Sequence, residues 1–120
     1  MLIQRVSVQN FRSHTEKTIT LSPATTVIVG SNGAGKTSLL EALYISLRGV
    51  SFKGSDNDIL RHDTDWWRID MLLEDTTTRS VTFDPSRPYS KKQFIVHDKK
   101  SIRLPAKDKY PVVLFEPDHL

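Results

Sequence analysis

Gly30-Ser31-Asn32-Gly33-Ala34-Gly35-Lys36-Thr37 is the run whose reading decides the fold. It spells G-x-x-x-x-G-K-T, the pattern of a phosphate-binding loop. Upstream, Thr26-Val27-Ile28-Val29 is short, apolar and rich in β-branched residues, which predicts a buried strand. Downstream, Leu39, Leu40, Leu43 and Leu47 recur at helical spacing and predict a helix over residues 37–48. Strand, glycine loop and helix is the context the motif requires. A glycine-rich turn with a chance lysine would not carry both flanks. The glycines permit positive φ and let backbone N–H groups approach phosphate oxygens. A helix starting near Gly35 adds its positive dipole end at the same place. Lys36 brings a mobile charge to the β- and γ-phosphates, and the Thr37 hydroxyl is placed to ligate magnesium. The candidate ATP-binding residues are therefore Gly30, Ser31, Asn32, Gly33, Ala34, Gly35, Lys36, Thr37 and Ser38, with Thr37 the candidate metal ligand.

At 120 residues the chain amounts to one domain at most. A parallel phosphate-binding core needs several strands joined by crossovers of about a dozen or more residues each. There is room here for one clear crossover helix, so residues 1–120 are expected to be an N-terminal piece of a longer protein. The apolar fraction is ordinary for a globular domain. The chain has no cysteine, which excludes disulfides and thiolate metal sites and suits a cytoplasmic setting. No apolar run reaches membrane-spanning length, and the first residues are too polar for a signal peptide. A net charge of +3 permits contact with nucleic acid without demonstrating it.

Along the chain, Leu2, Gln4, Val6 and Val8 alternate with polar residues and predict a half-buried strand near an edge. Asn10-Phe11-Arg12-Ser13-His14 interrupts it, and residues 16–21 resume the alternation, so the two strands pair as a hairpin. Residues 49–58 form a loop by composition, with Asp58 as the N-cap of a brief helical turn. Residues 66–73, then Val81 and Phe83, then Phe94 and Val96 read as an antiparallel meander. Asp98-Lys99-Lys100 forms a tight turn into a strand at 101–104. Pro111-Val112-Val113-Leu114-Phe115 is a second continuous apolar run, expected as another buried parallel strand.

Several of these fragments agree with one family. Asn10-Phe11-Arg12 after the first strand, the phosphate loop, and Leu40-Glu41-Ala42 in the helix are shared by the SMC and break-repair ATPases of the ABC type. Gly49-Val50-Ser51-Phe52-Lys53, Ile59-Leu60-Arg61-His62 and residues 113–120 make the chain resemble the RecF family of recombination mediators in particular. The resemblance implies an α/β fold: the N-terminal lobe of an ABC-type P-loop ATPase head, a partial parallel core with an adjoining antiparallel β-sheet. It also implies ATP and Mg2+ as cofactors, and Arg12 near the nucleotide phosphates. The partners implied are single-stranded or gapped double-stranded DNA, the mediator proteins RecR and RecO, and an ATP-dependent homodimer. Recombinase loading at gaps and slow DNA-dependent hydrolysis by the full-length protein follow from it as well. Neither the signature segment nor a strand ending in an Asp-Glu pair occurs in these residues, so the chain by itself is expected to be inactive. The rival readings are an SMC-like head fragment, against which the absence of heptads counts, and a nucleotide-binding module without catalysis of its own.

Other residues leave two readings open. Arg12 either lies near phosphate or is a surface arginine. Arg61 and His62 face a ligand or belong to a solvated loop. Lys91, Lys92, Lys99, Lys100, Lys107 and Lys109 either track a phosphate backbone or solubilise turns. Trp66 and Trp67, as neighbours in a strand, face opposite sides, and one of them belongs to the core.

Overall fold

The computed structural model describes residues 3–12, 14–20, 34–52, 54–73 and 77–109, with the backbone alone at 19, 34–37 and 39. One six-stranded sheet dominates, in the order β2-β1-β3-β4-β5-β6. The strands are β1 (Ile3–Phe11), β2 (His14–Thr20), β3 (Trp67–Leu73), β4 (Thr78–Phe83), β5 (Lys92–Val96) and β6 (Lys99–Ser101). Every pairing is antiparallel. The expected hairpin and meander are both present, and β1 joins them by pairing with β2 on one side and β3 on the other. The two runs expected as parallel strands, residues 26–29 and 111–115, lie outside the described residues.

Period-2 patterning explains why one face is dry. Val6 and Val8, Ile69 and Met71, Val81 and Phe83, and Phe94 and Val96 are buried, while the residues between them are largely half-exposed. On the opposite face a polar row crosses the sheet: Ser7 pairs with both Thr18 and Asp70, and Asp70 with Ser80. Gln4 does not continue the buried alternation. It is exposed, at a register shift between Ile3 and Arg5.

Helix α1 (Ala34–Arg48) packs on the dry face against β1, β3 and β4. Its buried stripe is not the leucine series. Ser38, Glu41, Ala42, Ile45, Ser46 and Leu47 are buried, whereas Leu40 and Leu43 are only half-buried. Ser38, Ala42 and Ser46 are the small members of this stripe, and Leu43 packs only partly against the core. The helix ends at Gly49, whose φ of +93° and N–H bond to the Ile45 carbonyl (2.7 Å) form a left-handed C-terminal cap.

Two boundaries differ from expectation. Ser55, not Asp58, caps the short helix α2 (Asp56–Ile59): the Ser55 hydroxyl accepts from the Asp58 N–H while the Asp58 carboxylate accepts from the Ser55 N–H. Both halves of a capping box are thus present. The last hairpin turns at His97 and Asp98, both at positive φ (53° and 62°), so β6 begins at Lys99 rather than at residue 101. A two-residue loop with both residues left-handed matches the twist of the flanking strands.

Candidate nucleotide site

Of the motif residues, 30–33 lie outside the described set. Ala34, Gly35, Lys36 and Thr37 form the opening turn of α1, and Ser38 follows, buried. That first turn carries no acidic residue, so the positive end of a 15-residue helix faces no competing carboxylate of its own. A polyanion fits such an end, and the glycine at 35 leaves the backbone accessible. ATP and Mg2+ are thus compatible with the residues present: backbone N–H groups and Lys36 for phosphate, and a hydroxyl at 37 for a hard cation.

Beside this helix stands a polar cluster. Asn10 and Arg12 both take positive φ (53° and 54°), which turns the strand end so that Phe11 between them is wholly buried. Asparagine tolerates that region better than most side chains, whereas an arginine there needs support. It receives it: the Arg12 N–H bonds the Ile59 carbonyl at 2.7 Å, and the Asn10 carbonyl accepts from the Arg61 N–H at 3.1 Å. The Arg12 guanidinium then lies against Glu41 of α1. Its Nε and Nη2 donate to the two carboxylate oxygens, each at 2.8 Å, and Nη1 donates to the Asp58 carbonyl at 2.9 Å. Ser51 Oγ donates to Glu41 Oε2 at 2.5 Å. The Glu41 carboxylate is fully buried and Arg12 is 24% exposed. Hydrogen bonding to Glu41 raises the Arg12 pKa further above its already high value, against the opposing effect of burial.

Arg12 is therefore not a solvated surface arginine; it is tied through Glu41 to α1, the helix that residues 34–37 of the motif open. Glu41 enters the sequence only as a helix former. The signal for it was a carboxylate in register with Ser38, Ala42 and Ile45, which demands a cationic partner once the helix packs. His62 is exposed beside Asp63, and Arg61 contributes a backbone bond to the Arg12 turn. The late lysines do not form one row. Lys92 turns inward to Asp56 (2.9 Å), and Lys99 and Lys100 are consecutive in a strand, on opposite faces. Trp67 is the core tryptophan; Trp66 is exposed.

A sequence family described as AAA ATPase domain matches residues 1–110. The chain belongs to this family. Within it, the AAA ATPase domain described here resembles the replication and repair protein RecF. It is 41% identical over 69 residues to RecF of Carboxydothermus hydrogenoformans, covering 58% of this chain and 20% of that protein. With RecF of Aliivibrio fischeri it shares 44% over 66 residues, covering 54% of this chain and 18% of that one. The chain thus spans about a fifth of the length of such relatives. In three dimensions it superimposes on a structure described as the recombination mediator protein RecF-ATP in the RecFOR pathway. The TM-score is 0.77 at 23% identity, over 98% of this chain and 32% of that one. The fold is that of the N-terminal lobe of RecF.

Proposed function

We propose that this AAA ATPase domain is the ATP-binding part of a RecF-like DNA repair and replication protein. The observation that supports the proposal is that residues 34–37 of the motif open α1, with Lys36 in a first turn that carries no acidic residue. Backbone N–H groups of residues 33–36 would hold the phosphates, Lys36 would neutralise the β/γ charge, and the Thr37 hydroxyl would ligate magnesium. Bound magnesium supplies charge neutralisation at the β- and γ-oxygens. In the whole protein, ATP binding would promote a homodimer and attachment to single-stranded or gapped duplex DNA. Recombinase loading with the mediators RecR and RecO would follow, in the cytoplasm. No helix among the described residues is long and apolar enough to cross a membrane.

Lys36→Ala tests the proposal. Loss of a charge-assisted contact to phosphate is expected to weaken ATP binding by about tenfold or more in a titration with a fluorescent ATP analogue. An affinity equal to that of the unaltered protein rejects the assignment.

A further inference from the structure

Arg79 is 3% exposed on β4, in the core-facing register that Val81 and Phe83 share. An apolar side chain would fill that space without the cost of taking a cation out of water. The guanidinium therefore needs a reason beyond packing, and its partners supply one. Nη1 donates to two backbone carbonyls, those of Ser46 and Asp108, each at 2.9 Å. They lie 33 and 29 residues away in the chain, on different elements. Ser46 is among the last four residues of α1, whose carbonyls find no partner within a helix. Asp108 ends a short 3-10 helix, Ala106–Asp108. A terminal guanidinium nitrogen carries two N–H groups, one for each carbonyl, so a single atom holds both elements. The cation is also favourable at the C-terminal end of α1.

The two elements meet at a second place. Gly49, which caps α1, lies so near Leu104 that a Cβ on it would stand 3.3 Å from the Leu104 Cβ. Leu104 is buried, and Pro105 follows it to open the 3-10 helix. There the Asp108 and Lys109 N–H groups bond the carbonyls of Pro105 (2.9 Å) and Ala106 (3.2 Å). The end of α1 and residues 104–109 thus pack as one body, with Arg79 as the polar link between them. The other end of this 15-residue helix is the turn that residues 34–37 of the motif open, about 20 Å away at 1.5 Å per residue. We propose that Arg79 is a positioning residue that couples α1 to the 3-10 helix, so that a change in the stability of α1 made at its motif end reaches residues 104–109. Occupancy of the motif then sets how firmly the chain is held where it leads into the apolar run 111–115. The coupling does not depend on the nucleotide reading above; its control by ATP does.

The test is amide exchange on the full chain, read at Asp108 and Lys109 against Ile69 on β3 inside the sheet, in the wild type, Arg79→Met, Ala42→Gly and the double variant. Ala42→Gly loosens α1 from within, by about fivefold in helix stability, and leaves both carbonyls in place. With Arg79 present it is expected to speed exchange at both amides about fivefold; in Arg79→Met it should add nothing. Arg79→Met alone should speed them about tenfold, the scale of a lost charged hydrogen bond. A guanidinium that only stabilises the fold would give the same factor for Ala42→Gly in both backgrounds. That result overturns the proposal, as does no response to Ala42→Gly in the wild type. Saturating ATP should slow both amides in the wild type and leave them unchanged in Arg79→Met. Equal slowing in the two, or bound ATP without slowing, also overturns it. If the wild type binds no ATP, the nucleotide reading fails and the Ala42→Gly cycle alone decides the coupling. Should Arg79→Met not fold, Arg79→Lys takes its place in the cycle, since an ammonium keeps the charge but lacks the planar fork.

Discussion

Trp67 is completely buried, and its neighbours show what one side chain can organise. Its ring stacks on Phe83 (5.7 Å between centroids) and meets Phe11 edge-on (5.8 Å), while its indole N–H donates to the Asp56 carbonyl at 2.9 Å. One residue thereby joins β1, β3, β4 and α2. Trp67→Ala is expected to destabilise by about 3–5 kcal/mol, the range for large aromatic truncations. Trp66→Ala, at an exposed position, should stay within about 0.5 kcal/mol. Urea denaturation measures both, and comparable losses at the two positions would mean that the register is wrong. The sequence alone required the two tryptophans to face opposite ways. Only the pairing of Trp67 with Phe83 decides which one turns inward, because burial belongs to the partner strand as much as to the residue. Glu41 was hidden for the same reason: its cation, Arg12, lies 29 residues away in the chain.

Helix and strand identity was legible from periodicity; ends and buried faces were less so. On β4, Arg79 shares the core-facing register with Val81, yet it is buried, and its Nη1 donates to the carbonyls of Ser46 and Asp108, each at 2.9 Å. A cation at the C-terminal end of α1 suits the helix dipole there, which hydropathy does not report. The start of α2 was misplaced because Asp58 and Ser55 cap each other, and composition does not distinguish the N-cap from the third position of a capping box. That box makes a prediction. Hydrogen bonds from the Ser55 N–H and hydroxyl, and then the Arg12 charge, hold the Asp58 carboxyl below its ordinary value of 3.8. A carboxyl lowered in the folded state stabilises it fully above the unfolded value and loses that contribution as pH falls through the folded one. In an NMR titration Asp58 should therefore titrate below 3.8, with protection of the Ser55 amide lost over the same interval. In Asp58→Asn that pH dependence should vanish. An Asp58 titrating at or above the ordinary value contradicts the box.

For the whole molecule, the antiparallel sheet was readable because its strands alternate and its turns are rich in Gly, Pro, Asp and Ser. The parallel core, expected from two continuous apolar runs, falls outside the described residues, so the described fold is the sheet and the helix that carries the motif. This bears on catalysis. Phosphoryl transfer to water needs phosphate cradled, a metal held and a water oriented in line. The motif supplies the first and one ligand for the second. The described carboxylates are otherwise committed: Glu41 to Arg12, Asp56 to Lys92, Asp58 to Ser55, Asp70 to Arg68 and Ser80, and Asp84 to Ser86. Asp108 is buried near His97, and Glu16, Asp63, Asp65 and Asp98 lie exposed. None of them ends a parallel strand beside the opening turn of α1. Residues 1–120 on their own are therefore expected to release phosphate from ATP no faster than the buffer does, with and without magnesium, and Lys36→Ala should change nothing in that assay. Magnesium-dependent phosphate release that disappears in Lys36→Ala would reverse this conclusion. It would require a carboxylate outside the described residues, or one of the described ones after leaving its present position, to orient water when nucleotide binds. Glu41, which stands nearest the motif in sequence, would be the first to replace.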